Sequence, residues 1–92
     1  MKVITPKVKE RLSSKLVAEI WRMYDEGYSN VNKDDYQFIN LISENSKCKI
    51  IMKQEEPQVL VSKIIDESID SDLEIWIIDD GIVQTMLFSD EY

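Results

Sequence analysis

The chain has no histidine, one cysteine, two glycines and two prolines among its 92 residues. Without histidine it lacks the commonest general base, the commonest metal ligand and the usual pH switch. Cys48 alone makes neither an internal disulfide nor a zinc site, so the fold asks for no oxidising compartment. No histidine stands ready to activate it as a nucleophile, and its place in the alternation Cys48, Ile50, Met52 marks it as a small core residue. There is no glycine-rich phosphate loop and no nucleophile elbow. So few glycines and prolines also exclude a disordered or linker-rich chain. No apolar run approaches the length of a bilayer span, and Met1 to Pro6 has no apolar stretch of signal-peptide length. The expectation is a soluble, cytoplasmic protein with no cofactor, metal or small-molecule ligand.

Positive charge is missing from one end of the chain. After Lys63 there is no basic residue, while nine carboxylates follow. Residues 1–22 hold six basic residues against two acidic, a net of +4; residues 23–92 hold five lysines against sixteen acids, a net of −11. The total of −7 disfavours nucleic acid over most of the surface. The basic N-terminal stretch reads as solvated lysines beside a helix start.

The length suits one domain over residues 1–92. A chain this short buries roughly 60–65% of the surface its unfolded form exposes, and its expected stability is about 5–10 kcal/mol. Val3-Ile4-Thr5 reads as a short edge strand stopped by Pro6. Leu12, Leu16, Ile20 and Met23 recur at helical spacing, with Val17, Trp21 and Tyr24 widening the face. Ser13 or Ser14 as N-cap and Gly27 as terminator predict one helix near 13–26. Tyr28 to Asp35, with Asn30 and Asn32, reads as a loop. Tyr36 to Ile42 is mixed in pattern; its aromatic and β-branched content favours a strand over a second helix. It pairs with Cys48 to Lys53 across a turn at Glu44 to Lys47. Val59 to Ile65 is a third strand and Asp66 to Asp72 a solvated acidic loop. Leu73 to Ile78 and Val83 to Phe88 flank Asp79-Asp80-Gly81, a tight reversal. Trp76 and Ile78 share one face of the first of these strands, and Leu73, Ile75 and Ile77 share the other. This suggests a central strand covered by the helix on one side and by something else on the other. The expected fold is α+β: one N-terminal helix packed on a mainly antiparallel sheet of about five strands, connected as a meander.

The acids are paired in sequence: Asp34-Asp35, Glu55-Glu56, Asp66-Glu67 and Asp79-Asp80. Neighbours on a strand point to opposite faces, so such pairs do not converge by themselves. Asp79 and Asp80 suit turn chemistry better than metal or acid–base work. Asp66, Asp70, Asp72 and Glu74 fail the spacing of an EF-hand loop and lack its glycine. The candidate binding residues are aromatic instead: Trp21, Tyr24, Tyr28, Trp76 and Tyr92. Tyr28 and Tyr92 are expected to be partly exposed, where such side chains anchor protein contacts.

Several segments fall in one recognisable order. They are Val3-Ile4-Thr5, the helix carrying Leu16 and Trp21, Asp35-Tyr36-Gln37, Ile51 to Gln54-Glu55 with Pro57, Ile78-Asp79-Asp80-Gly81, Thr85-Met86-Leu87 and Asp90-Glu91-Tyr92. Together the chain resembles small bacterial proteins grouped as domain of unknown function 960, over nearly its whole length. It departs from that pattern at Met52-Lys53, where a histidine is expected, and at Ser13, where a proline is expected. The resemblance implies a small cytoplasmic bacterial protein with no assigned activity. The residues themselves point to a non-enzymatic module that binds another protein, or itself, through a sheet face or edge. Two alternatives stand beside it. One is a nucleic-acid mimic, which needs carboxylates at phosphate-like spacing; the other is a carboxylate-based hydrolase, which needs two acids across a pocket.

Overall fold

The computed structural model describes residues 1–28 and 31–92. Among these, a six-stranded, mostly antiparallel sheet carries two short helices. The strands are β1 (Lys2–Ile4), β2 (Tyr36–Glu44), β3 (Lys47–Glu55), β4 (Gln58–Ile65), β5 (Leu73–Asp79) and β6 (Gln84–Phe88). The helices are α1 (Pro6–Arg11) and α2 (Ser14–Glu26), and a 3₁₀ turn spans Ser89–Glu91.

The expected helix near 13–26 is α2. The Ser13 hydroxyl accepts the Leu16 N–H at 3.1 Å, which satisfies one of the free donors of the first turn. Leu16, Ile20, Met23 and Tyr24 form its buried stripe. It ends at Gly27, where the backbone is right-handed. Glycine is needed there for space: a Cβ would collide with the Met23 carbonyl oxygen. A second helix, α1, was not expected. Pro6 does stop β1, but it does so by opening a helix, with Thr5 as N-cap accepting the Val8 N–H. Val8 from this single turn and a half is fully buried.

The strand reading of 36–42 is borne out, and the two-residue turn Asn45–Ser46 between β2 and β3 has positive φ at both positions, the geometry that matches the twist of a hairpin. The simple meander is corrected. The strand order is β1-β6-β5-β2-β3-β4, so β5 lies beside β2 rather than β4, and β1 pairs parallel to β6. The acidic segment after β4 makes this crossing, and it is stitched down rather than merely solvated. Asp72 accepts the Ser43 N–H at 2.8 Å, Ser43 Oγ donates to the Ile69 carbonyl at 3.1 Å, and Ile69 packs against the core. Glu67 bonds the Ser13 hydroxyl at the start of α2.

One face of the sheet meets the helices. Ile39 and Leu41 of β2, Cys48, Ile50 and Met52 of β3, and Ile75 and Ile77 of β5 are fully buried with Leu16 and Ile20. The inward positions at one end of β2 and β3 hold Gln37 and Gln54, also buried. Gln54 Oε1 accepts from Gln37 Nε2 at 2.7 Å and from the Asp34 N–H at 2.9 Å. Its Nε2 donates to the carbonyls of Asn32 and Pro57. This amide pair ties the segment before β2 to the β3–β4 turn, meeting backbone groups that would otherwise be buried without partners. Asn30, part of the expected loop, lies outside the described residues.

Candidate functional site

Alternation along each strand sends the other half of the side chains to the opposite face. The register places Leu60, Lys53, Phe38, Trp76 and Leu87 in one row across five strands. Ser62, Ile51, Asn40 and Glu74 form the next row, and Ile64, Lys49 and Ile42 the one beyond. Tyr36, Ile78 and Thr85 lie on the other side of the first. None of these outward apolar residues belongs to the buried cluster beneath the helices.

The centre of this outer face is aromatic. Phe38 and Trp76 meet edge to face at 5.2 Å between ring centroids. Tyr92 lies over Trp76 at 4.8 Å and edge-on to Tyr36 at 6.2 Å. The Tyr36 and Tyr92 hydroxyls are 3.2 Å apart, and that hydrogen bond holds the Tyr36 phenol above its ordinary range.

Tyr92 is brought here by the 3₁₀ turn, which is pinned from three sides. Glu91 accepts the Phe88 N–H at 2.9 Å and the Thr5 hydroxyl at 2.8 Å, while Lys7 Nζ reaches both Asp90 oxygens at 2.8 Å. Beyond this C-terminal cover the face is open. A shallow depression of about 690 Å³ runs over it, lined by Phe38, Lys53, Leu60, Glu74 and Trp76 among others.

Of the five expected binding residues, Trp76 and Tyr92 sit on this face. Trp21, Tyr24 and Tyr28 lie with α2 on the opposite side of the sheet. Trp21 is half-buried, edge-on to Tyr24 at 5.6 Å and with Lys2 over its ring. Tyr24 is buried. The expected exposure of Tyr28 is corrected: it is 6% exposed, because the end of α2 turns it into the core. Burial raises both phenols to about 12. Tyr36, Phe38, Leu60 and Ile64 complete the outer face and were not singled out from sequence. The available signal was parity, since Tyr36 and Phe38 alternate with the inward Gln37 and Ile39 just as Trp76 alternates with Ile75 and Ile77.

Several of the acids serve the backbone. Asp80 accepts the N–H groups of Ile82 and Val83, which holds its carboxyl below the ordinary range, and Asp79 accepts that of Gly81, whose φ is 98°. This is the turn chemistry read from Asp79-Asp80-Gly81. Asp34 accepts the N–H groups of Asp35 and Glu56. Glu19 pairs with Lys63 at 2.9 Å, which lowers its pKa. Among the described residues no group of three or more acids or cysteines is placed to hold a metal ion. The Cys48 thiol is buried, and burial raises its pKa away from the reactive thiolate.

No helix among the described residues is long and apolar enough to cross a membrane. No family model and no curated protein sequence matches the chain. A solved structure does: a protein of unknown function from Enterococcus faecalis, 24% identical, with a TM-score of 0.85 over 99% of this chain and 89% of that one. At that identity the likeness is one of fold: this chain shares the architecture of the enterococcal protein.

Proposed function

We propose that the protein is a non-enzymatic binding module whose outer sheet face receives another protein. The observation that carries this is the cluster of Phe38, Trp76, Tyr36 and Tyr92 on a face that the helices do not cover. Large aromatic side chains supply much contact area for little lost rotamer freedom, and they dominate the energetics of protein contacts. Lys53 and Glu74 beside the aromatic row give the contact polar groups of both signs, as the rim of an interface requires. The absence of histidine and the engagement of Asp34, Asp79, Asp80 and Glu19 in backbone and ion-pair contacts support a role without catalysis. Membership of domain of unknown function 960 belongs to the same proposal and rests on the segments quoted above.

The test compares the wild-type chain with Trp76→Ala and Phe38→Ala as baits in the native host, with the captured proteins identified by mass spectrometry. A specific partner is expected on the wild type and lost from both variants. Circular dichroism checks that each variant is folded. An identical set of proteins on folded variants and wild type would refute the reading.

A further inference from the structure

We propose that the protein pairs with a second copy of itself through the free edge of β4, the two strands running antiparallel about Ser62 so that two sheets continue as one. This deepens the reading of a protein-binding module by naming one partner and the sheet edge that borders the aromatic face.

Strand β4 is the last in the sheet order, so among the described residues one side of its backbone has no strand beside it. Such edges are usually shortened, bulged, charged or interrupted by proline, because an open edge is a template for another strand. This one is neither short, bulged nor interrupted by proline, and a single lysine is its one such device. It runs for eight residues in unbroken register with β3 and contains no proline. Its lone charge, Lys63, is turned to the helix side and held by Glu19 at 2.9 Å.

The opposite edge, β1, is only three residues long, and its Lys2 is tied to Asp25 at 3.1 Å. It offers β4 too short a complement for head-to-tail growth. A closed two-fold pairing of β4 with β4 is therefore the geometry that satisfies the edge.

The side chains carry the same symmetry. Leu60 and Ile64 are 61% and 58% exposed, and they stand two residues either side of Ser62 on the outer face. Antiparallel pairing about Ser62 sets Leu60 of each copy opposite Ile64 of the other, a cross-strand apolar contact made twice. It also joins the two outer faces into one continuous surface.

Charge permits the approach and then marks it. Residues 57–65 hold no carboxylate, whereas Glu55-Glu56 and Asp66-Glu67 bound the strand at its two ends. In the paired state the acids of one copy meet those of the other at both ends. Salt should therefore strengthen the association by screening that repulsion, the reverse of a contact built on opposite charges.

Sedimentation velocity on the full chain, from about 10 to 300 µM, tests this. A reversible dimer is expected, tighter in ~0.5 M than in ~0.02 M salt. Leu60→Lys with Ile64→Lys, both on exposed positions, should weaken it at least about tenfold without altering the fold. Under mild oxidation Ser62→Cys should form a disulfide-linked dimer, while Ile82→Cys, exposed in the β5–β6 loop, should not. A chain that stays monomeric to about 300 µM overturns the inference. So does a dimer that ignores the double substitution, or one weakened by salt. A monomeric chain whose host partner is still lost on Trp76→Ala sinks this inference and leaves the aromatic-face reading standing.

Discussion

Replacing Gln54 by leucine keeps nearly the same volume in the core and removes every polar contact of the side chain. Gln54 is 1% exposed and makes four hydrogen bonds: to Gln37, to the Asp34 N–H, and to the carbonyls of Asn32 and Pro57. The bond to Gln37 is buried and the other three are partly buried, so water can recover some of the loss. Stranding a buried partner costs about 1–3 kcal/mol, and a partly wetted one sits at the low end of that range. One buried partner and three at the low end sum to about 4–6 kcal/mol, a large part of what holds a domain of this size together. At about 4–8 °C per kcal/mol for such domains, the melting temperature should fall by roughly 20 °C or more. Urea unfolding followed by the fluorescence of Trp21 and Trp76 measures the loss. The slope of stability against urea should be unchanged, because the exposed surface is the same. A loss below about 1 kcal/mol would mean that the amide pair is a passive filler, and the account of the β3–β4 turn given above would fail.

Two pH effects follow from the same structure. Tyr24 and Tyr28 titrate near 12 because burial disfavours the phenolate. Their contribution to stability is whole below the ordinary phenol value of about 10 and is lost as pH climbs through the raised value. Absorbance of the phenolate should therefore rise together with alkaline unfolding between about pH 10 and 12; full ionisation of every tyrosine near pH 10 with the fold intact would refute this. Asp80 behaves in the opposite sense. Its lowered pKa makes its contribution present above the ordinary aspartate value of about 4 and lost as pH falls through the lowered one. Asp80→Asn should lower stability at neutral pH and flatten the acid limb of the stability curve, and an unchanged acid limb would count against the capping role.

Local signals made much of this fold legible. Ser13, the Leu16–Ile20–Met23 stripe and Gly27 bounded α2, and composition and alternation found β2, β3 and β5, with the inward set of β3 and the two faces of β5. What escaped the sequence was decided over distance. Helix α1 is too short to show a period, and its proline reads equally well as a strand breaker. The pairing of β1 with β6 joins segments more than 80 residues apart, for which no local pattern exists. Gln37 and Gln54 look like solvated residues in their strands, and only the loop carbonyls and N–H groups gathered around them explain their burial. The outer face shows the same division. Trp76 and Tyr92 were visible as aromatics, but their meeting with Tyr36 and Phe38 depends on the β2–β5 register and on a turn held by Thr5 and Lys7.

The parallel seam between β1 and β6 also orders events in time. During synthesis the first strand leaves the ribosome early, yet its partner is the last strand to emerge. The bonds from Gln84 to Met1 and from Thr5 to Met86 close a loop of nearly the whole chain, a slow kind of contact to make. Until then the antiparallel strands β2 to β5, which need only nearer partners, can assemble beneath α2. The nascent chain should carry β1 unpaired until β6 has emerged, and a pulse of hydrogen exchange during refolding should find β1 and β6 protected together, after the rest of the sheet.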